Sequence, residues 1–281
     1  MVEGAGHVVV RNYRAVVEYD GTGYSGFQIQ SGKPTIQGEL ERALRQITQE
    51  DVRVIGAGRT DAGAHARGQV ISFRTGWSHG PEALQRAMNA VLPREISLRE
   101  ASEADERFHA RFSATSRLYT YNIYESDVRA PLLERFAYHV PIALDLGAMD
   151  RAAACLVGEH DFAAFGQPPL GTNTVRVVYH ARWRAKGAVI GGGYKPGAIR
   201  LSRFEIEANA FLRGMVRRIV GTLLLVGRGL LTEDGFAEIL SSRDIRRAGV
   251  PVPAQGLCLW HVRYDEERSC GQDVWAWCGW P

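Results

Sequence analysis

One order of elements recurs along the chain, and it leaves few folds open. Residues 14–19, Arg-Ala-Val-Val-Glu-Tyr, are rich in strand formers and end at the turn signals Asp20-Gly21-Thr22-Gly23, which predicts a strand. Residues 35–48 set Ile36, Leu40, Ala43, Leu44 and Ile47 three to four apart behind Pro34 and the N-cap candidate Thr35, which predicts a helix. Two short β-like runs follow, 52–57 and 69–75, flanking a polar, glycine-bearing loop over 58–68. Pro81 then stands at a favourable first helical position, with Leu84, Ala87, Met88, Val91 and Leu92 on one face, and residues 96–101 predict a strand. The order is βαββαβ.

The rest of the chain repeats it. Strands are predicted over 117–124, 175–185, 199–208 and 257–264, and helices over 146–157 and 211–226, with a short extra helix near 233–241. Two βαββαβ units predict an α+β protein of two ferredoxin-like (RRM-like) halves, each an antiparallel sheet backed by two helices. The boundary falls near 103–112, giving an N-terminal half over 1–106 and a C-terminal half over 107–281. Connections at 125–145, 161–174 and 187–198 are long, and loops of that length more often serve a site than a core. The tail Trp275-Ala-Trp277-Cys-Gly-Trp280 is expected to pack on a neighbouring surface.

A chain of 281 residues suits two ordinary domains and needs neither disulfides nor metal to fold. The four cysteines, Cys155, Cys258, Cys270 and Cys278, form no CxxC pair and lack zinc spacing, so they read as free thiols. The opening MVEGAGHVVV has no basic region followed by a long apolar run, and no stretch approaches the length needed to span a bilayer. The expectation is a soluble, cytoplasmic protein without membrane contact. Net charge is only +3, which excludes one large field of a single sign. Of 34 basic residues, however, only Lys33, Lys186 and Lys195 are lysine, leaving 31 arginines. An anionic partner must therefore be held by arginines segregated to one side; the plainer source of the bias is a GC-rich genome.

Gly21-Thr-Gly23-Tyr-Ser-Gly26 matches GxGxxG after a strand, but Gly32 and Pro34 interrupt the helix a dinucleotide fingerprint requires. A glycine-rich turn is the better reading. The segment from Gly56 to Ala66, GAGRTDAGAHA, is more informative. Small residues surround one guanidinium, one hydroxyl, one carboxylate and one imidazole, which lets a flat ligand approach closely. Arg59 is placed to pair with Asp61 or to reach a phosphate, and His65 reads as a hydrogen-bonding support. Asp61 is a catalytic candidate, although aspartate is also common in turns for local reasons.

Those residues resemble a known family. Tyr19-Asp-Gly-Thr22 with Gly26-Phe-Gln28, Gly58-Arg-Thr-Asp-Ala-Gly-Ala-His65, Phe108-His-Ala-Arg111, Ala114-Thr-Ser-Arg-Leu-Tyr119, Asn209-Ala-Phe-Leu212 with Met215-Val-Arg217, and Gly256-Leu-Cys-Leu259 are similar, in collinear order, to the TruA family of tRNA pseudouridine synthases. The resemblance implies two ferredoxin-like halves sharing an antiparallel sheet, with helices on one face and a basic cleft. It also implies a homodimer, no cofactor and no metal, and isomerisation of uridines at positions 38 to 40 of the tRNA anticodon stem-loop. Carried over by position, Asp61 matches the essential aspartate, Tyr119 the tyrosine against the target uracil, and Arg217 the basic partner of the aspartate. Arg59 resembles the arginine that takes the space left by the flipped base. The Gly-rich stretch 191–197 and the Trp-rich end beyond Glu266 have no counterpart in that pattern.

These residue types suit the chemistry. Pseudouridylation breaks the N1–C1′ bond, turns the uracil and forms a C5–C1′ bond, consuming nothing. A carboxylate attacks C1′ or C6, or stabilises cationic character at the sugar, and a nearby guanidinium supports it. A uracil within a stem must be extruded first. Tyr119, Tyr121 and Ile123 share one strand face, so periodicity alone does not say which tyrosine meets it. Arg107, Arg111 and Arg117 near the boundary, and Arg213, Arg217, Arg218, Arg228, Arg243, Arg246 and Arg247 later on, are expected to supply phosphate contacts. Two rivals fit less well. A non-catalytic RNA-binding protein of two RRM-like sheets calls for an RNP-type aromatic pair, and no clean RNP1 pattern is present. A metal-dependent nuclease calls for a second carboxylate near Asp61.

Overall fold

The computed structural model describes residues 9–168, 171–189 and 199–265. The first half runs β1 (Arg11–Tyr19), α1 (Ile36–Thr48), β2 (Ile55–Gly56), β3 (His65–Thr75), α2 (Pro81–Val91) and β4 (Ile96–Glu103). The second runs β5 (Ala114–Glu125), α3 (Pro131–Glu134), β6 (Tyr138–Val140), α4 (Leu146–Ala154), β7 (Gly158–Asp161), β8 (Val175–Val189), β9 (Ile199–Ala208), α5 (Met215–Gly227) and α6 (Glu233–Ser242), and closes with β10 (Leu257–Tyr264).

Local signals account for most of these boundaries. Thr35 caps α1, its hydroxyl accepting from Gly38 N at 3.2 Å, and the periodic residues Ile36, Leu40, Ala43 and Leu44 are buried. Pro81 opens α2, whose Leu84 and Met88 face the core. Other boundaries move. The strand expected over 52–57 shrinks to β2, because the Val54 backbone is satisfied by helix side chains: Gln37 Nε2 donates to its carbonyl at 3.0 Å and its N–H donates to Glu41 Oε1 at 3.0 Å. The helix expected from 211 begins at Met215, behind Gly214 at φ 72°, a left-handed conformation that the preceding apolar residues do not announce. The long connection over 125–145 contains α3 and β6, and 161–174 follows the short strand β7. The Trp-rich tail and the stretch 191–197 lie outside the described residues.

All ten strands join one sheet in the order β4-β1-β3-β10-β5-β9-β8-β7, with β2 on β3 and β6 on β5. Strand β1 lies between β4 and β3, and β5 lies between β10 and β9. The sheet expected to be antiparallel is mixed. Strand β10 runs parallel to β3, pairing Cys258 with His65 and Leu259 with Ala66, and β6 runs parallel to β5. Apolar alternation decides which side chains face the core, but it carries no information on the direction of a neighbour contributed by a distant segment. The join between the halves is therefore the part that no local pattern predicts. A single apolar core runs beneath it, from Tyr13, Leu40 and Ile71 through Tyr119 and Leu259 to Phe204, Ile219 and Phe236. Among the described residues no helix is long and apolar enough to cross a membrane.

Candidate active site

The loop between β2 and β3 carries Asp61, and its backbone is fixed from three sides. Buried Gln69 acts as a substitute strand, accepting from Gly58 N at 3.3 Å and donating to Gly58 O at 2.7 Å. The Tyr19 and Thr60 hydroxyls share a 2.7 Å hydrogen bond, and Phe27 N donates to Thr60 O at 3.1 Å. Ala64 N closes a turn on Asp61 O at 3.1 Å, with Gly63 at φ 79°. The glycine-rich segment has its explanation here. A Cβ at Gly21 would overlap the Ala64 carbonyl, and one at Gly26, φ 93°, would stand 2.7 Å from Thr60 O. Those glycines let one turn lie directly against the Asp61 loop.

Asp61 meets the second half through Arg217 on the first turn of α5. Arg217 Nη1 donates to Asp61 Oδ2 at 2.9 Å, while Nε donates to Val252 O at 2.7 Å, and Val252 N returns a bond to Arg217 O at 3.1 Å. The guanidinium is held at two points, so the ion pair is preorganised. Both side chains keep some solvent access, 24% for Arg217 and 32% for Asp61, which leaves the carboxylate open to a ligand.

Tyr119 comes from β5, beside Leu259 of β10 and Ile206 of β9. Its hydroxyl lies 3.3 Å from where a Cβ at Gly58 would stand, so the absence of a side chain there makes room for the phenol at the Asp61 loop. Phe211 packs edge-on against its ring at 5.0 Å. Burial raises the phenol's pKa above its ordinary value; Arg117 opposes this and Asp61 adds to it, so the hydroxyl keeps its proton. Tyr121 is committed elsewhere, donating to Pro253 O at 2.7 Å. Of the two tyrosines that periodicity alone leaves open, Tyr119 is the one whose hydroxyl lies against the Asp61 loop.

Arg59 is exposed and does not pair with Asp61, which is taken by Arg217. His65 is buried at the start of β3. Its Nε2 lies 3.0 Å from Arg135 O and 3.1 Å from Gln255 O, acceptors that require a proton on that nitrogen, and Nδ1 accepts from Gly21 N at 3.2 Å. It ties four chain segments together behind the loop. Of the arginines expected to face phosphate, several do other work. Arg117 is buried and bonded to carbonyls, and Arg218 donates to Gly249 O at 3.3 Å. Arg243, Arg246 and Arg247 pair with Asp161, Asp244 and Glu238. The sequence reading missed Gln69 and Phe211, whose roles depend on contacts absent from any local motif. Among the described residues no group of three or more His, Cys, Asp or Glu is arranged to hold a metal ion.

Comparison with known proteins places the chain in a family. The family described as tRNA pseudouridine synthase matches residues 15–113 and 152–265. Proteins named tRNA pseudouridine synthase A are similar over most of the chain. That of Roseiflexus castenholzii is 45% identical over 94% of this chain and 95% of its own length. That of Chloroflexus aurantiacus is 45% identical over 91% and 89%, and that of Thermoanaerobacter sp. 40% identical over 91% and 100%.

Proposed function

The chain belongs to the tRNA pseudouridine synthase family, and from that premise we propose that it isomerises uridine to pseudouridine at positions 38 to 40 of the tRNA anticodon stem-loop, with Asp61 as the nucleophile on a flipped-out nucleotide. One observation carries the reading: a carboxylate on a glycine- and alanine-lined loop of the first half is ion-paired at 2.9 Å to a guanidinium of the second half. The Tyr119 hydroxyl reaches that same loop. The substrate base therefore has a carboxylate, a cation and an aromatic face within one site.

The reaction balances without a co-reactant. Asp61 attacks C1′ or C6, the N1–C1′ bond breaks with its electron pair leaving on the uracil, the uracil turns, C5 bonds to C1′, the bond to Asp61 is released to regenerate the carboxylate, and the proton lost from C5 is matched by one gained at N1. Extruding the nucleotide costs a few kcal/mol. Stacking on an aromatic ring returns roughly 1 to 3 kcal/mol per base, and Tyr119 relays the C5 proton, its hydroxyl giving up its own proton as it takes that one. Exposed Arg59 fills the space the base vacates. Around the site Phe112, 77% exposed, lies under the Arg111 guanidinium at 5.6 Å and beside the His109 ring at 4.3 Å, which makes it a stacking surface for RNA in a basic setting. Exposed Arg213 supplies a backbone contact.

Strand orders β4-β1-β3-β2 and β10-β5-β9-β8 support reading residues 1–106 and 107–281 as two ferredoxin-like halves meeting at a basic cleft, with helices on one face. The resemblance supports a cytoplasmic homodimer that needs no cofactor. The decisive experiment maps pseudouridine in tRNA before and after incubation with the protein, and follows tritium release from 5-³H-uridine in the anticodon arm. Wild type is expected to release tritium, and Asp61→Asn to bind tRNA and release none. Turnover near wild type in that variant would remove Asp61 from the chemistry.

A further inference from the structure

Arg117 is a buried cation with an unusual set of partners. Every N–H of its guanidinium is directed at a backbone carbonyl: Nε to Ala57 O at 3.3 Å, Nη1 to Ala114 O at 3.2 Å and Asn209 O at 2.9 Å, Nη2 to Ala57 O at 3.1 Å and Arg111 O at 2.6 Å. No carboxylate pairs with it among the described residues. Burial lowers its pKa from the ordinary arginine value, with Tyr119 and Tyr264 opposing, so the fold maintains this charge against its own desolvation. A buried charge is weak ground for stability, since well-packed apolar residues do as well or better. The four carbonyls suggest what it does instead.

They come from three separate stretches, at 57, at 111–114 and at 209, and each leads toward the site. Ala57 is the first residue of the Asp61 loop. Asn209 is two residues before Phe211, the ring that packs edge-on to Tyr119. Arg111 adjoins Phe112, a largely exposed ring. Arg117 itself lies two residues before Tyr119 on β5, on the same side of the strand. The fork is planar with fixed directions, so it sets the three stretches relative to one another in a way that no single-point donor can.

We propose that Arg117 is a positioning residue for the reaction: its guanidinium fork fixes the Asp61 loop of the first half against the Tyr119 strand and the Phe211 turn of the second, and so sets the distance between carboxylate and phenol. The inference rests on Asp61 and Tyr119 forming the site. A misplacement of about 1 Å at such a site costs on the order of 10²-fold in rate.

The test compares wild type with Arg117→Lys and Arg117→Ala on unmodified tRNA, measuring kcat, KM, tRNA affinity by filter binding, and thermal unfolding. Lysine keeps the charge but cannot reach four carbonyls. The expected result for Arg117→Lys is a folded protein with tRNA affinity and KM within about twofold of wild type and kcat down by roughly 10- to 100-fold. For Arg117→Ala, added methylguanidine is expected to restore part of kcat. A merely structural arginine would give a lowered unfolding temperature with normal kcat at temperatures where the variant is folded, or a loss confined to tRNA affinity; either result overturns the proposal. If the alanine variant does not fold, the lysine variant decides alone, and should that also fail to fold, a role beyond the fold is rejected. Asp61→Asn is run alongside. An active Asp61→Asn would count against the nucleophile assignment while leaving the Arg117→Lys rate readout intact.

Discussion

The interior of each half and the seam between the halves are held together by different means. Within the second half, β5 and β9 pair without interruption from Arg117 opposite Ala208 to Glu125 opposite Arg200. Across the seam, β3 and β10 share only the pairs His65 with Cys258 and Ala66 with Leu259 among the described residues. What the seam lacks in ladder it gains in side-chain bonds that cross it: Arg217 to Asp61, Arg117 to Ala57, and His65 to Gln255. Regular ladders hold a domain together whatever it does, whereas side-chain bonds can aim particular atoms at one point. Asp61 and Arg217 belong to the second kind.

The comparison can be broken by substitutions that separate the two. At the seam, Asp61→Asn preserves shape and removes the charge. Turnover is expected to fall by at least about 10³-fold, with the unfolding midpoint in urea almost unmoved. In the interior, Phe204→Ala deletes a fully buried ring that packs on Trp183 at 5.3 Å. This is expected to cost about 3 to 5 kcal/mol of stability and to leave kcat of the folded fraction near wild type. Urea unfolding and single-turnover assays on both variants decide it; a large stability loss in Asp61→Asn, or a slow folded Phe204→Ala, would erase the distinction.

The same division explains how much could be read in advance. Helix α1 was legible because cap, period and flanking proline lie within one short segment. The strand at 52–57 was misread because its backbone partners, Gln37 and Glu41, come from a helix packed over it, which makes the outcome tertiary. Asp61 stood out through the small residues around it, but its pairing with Arg217 spans 156 positions and was legible only through family resemblance. Arg117 was grouped with phosphate-contacting arginines because nearby basic residues look alike in sequence. Only four carbonyls converging in space distinguish a buried fork from a solvated one. Antiparallel alternation was likewise visible strand by strand, and the parallel join was not.

A smaller effect is expected just outside the seam. The backbone at Phe112 is fixed, since the N–H groups of Arg111 and Phe112 both donate to His109 Nδ1 at 3.2 Å and His109 N donates to Ser113 Oγ at 3.1 Å, and the ring lies against His109. A preorganised exposed ring loses little entropy when a base stacks on it. Phe112→Ala is expected to weaken tRNA binding by roughly 1 to 3 kcal/mol while kcat at saturating tRNA stays near wild type. Filter binding beside kcat measures it, and unchanged affinity would remove Phe112 from the RNA surface.

The smallest effect concerns pH, and it again divides seam from interior. Burial lowers the pKa of His65 from its ordinary value of 6.5, with Asp20 the main opposing influence. Below about that pH the unfolded chain takes up a proton that the folded chain refuses, so stability is lost as the solution is acidified. Protonation would set an Nδ1–H against the Gly21 N–H that it now accepts, although Asp20 Oδ1, 3.2 Å away and also near Arg135 through Oδ2 at 2.8 Å, softens the penalty. Half-buried His180 on β8 shifts in the same direction, so the wild-type slope contains both. His65→Gln is expected to flatten the fall in unfolding free energy between pH 7 and 5 by less than about 1.4 kcal/mol per pH unit, the limit for one proton. His180→Gln should flatten it too, but without changing how turnover varies over the same range, because His180 lies on β8, apart from the join that carries Asp61. Equal turnover profiles in both variants would mean that the His65 contacts stabilise the seam without aligning the site.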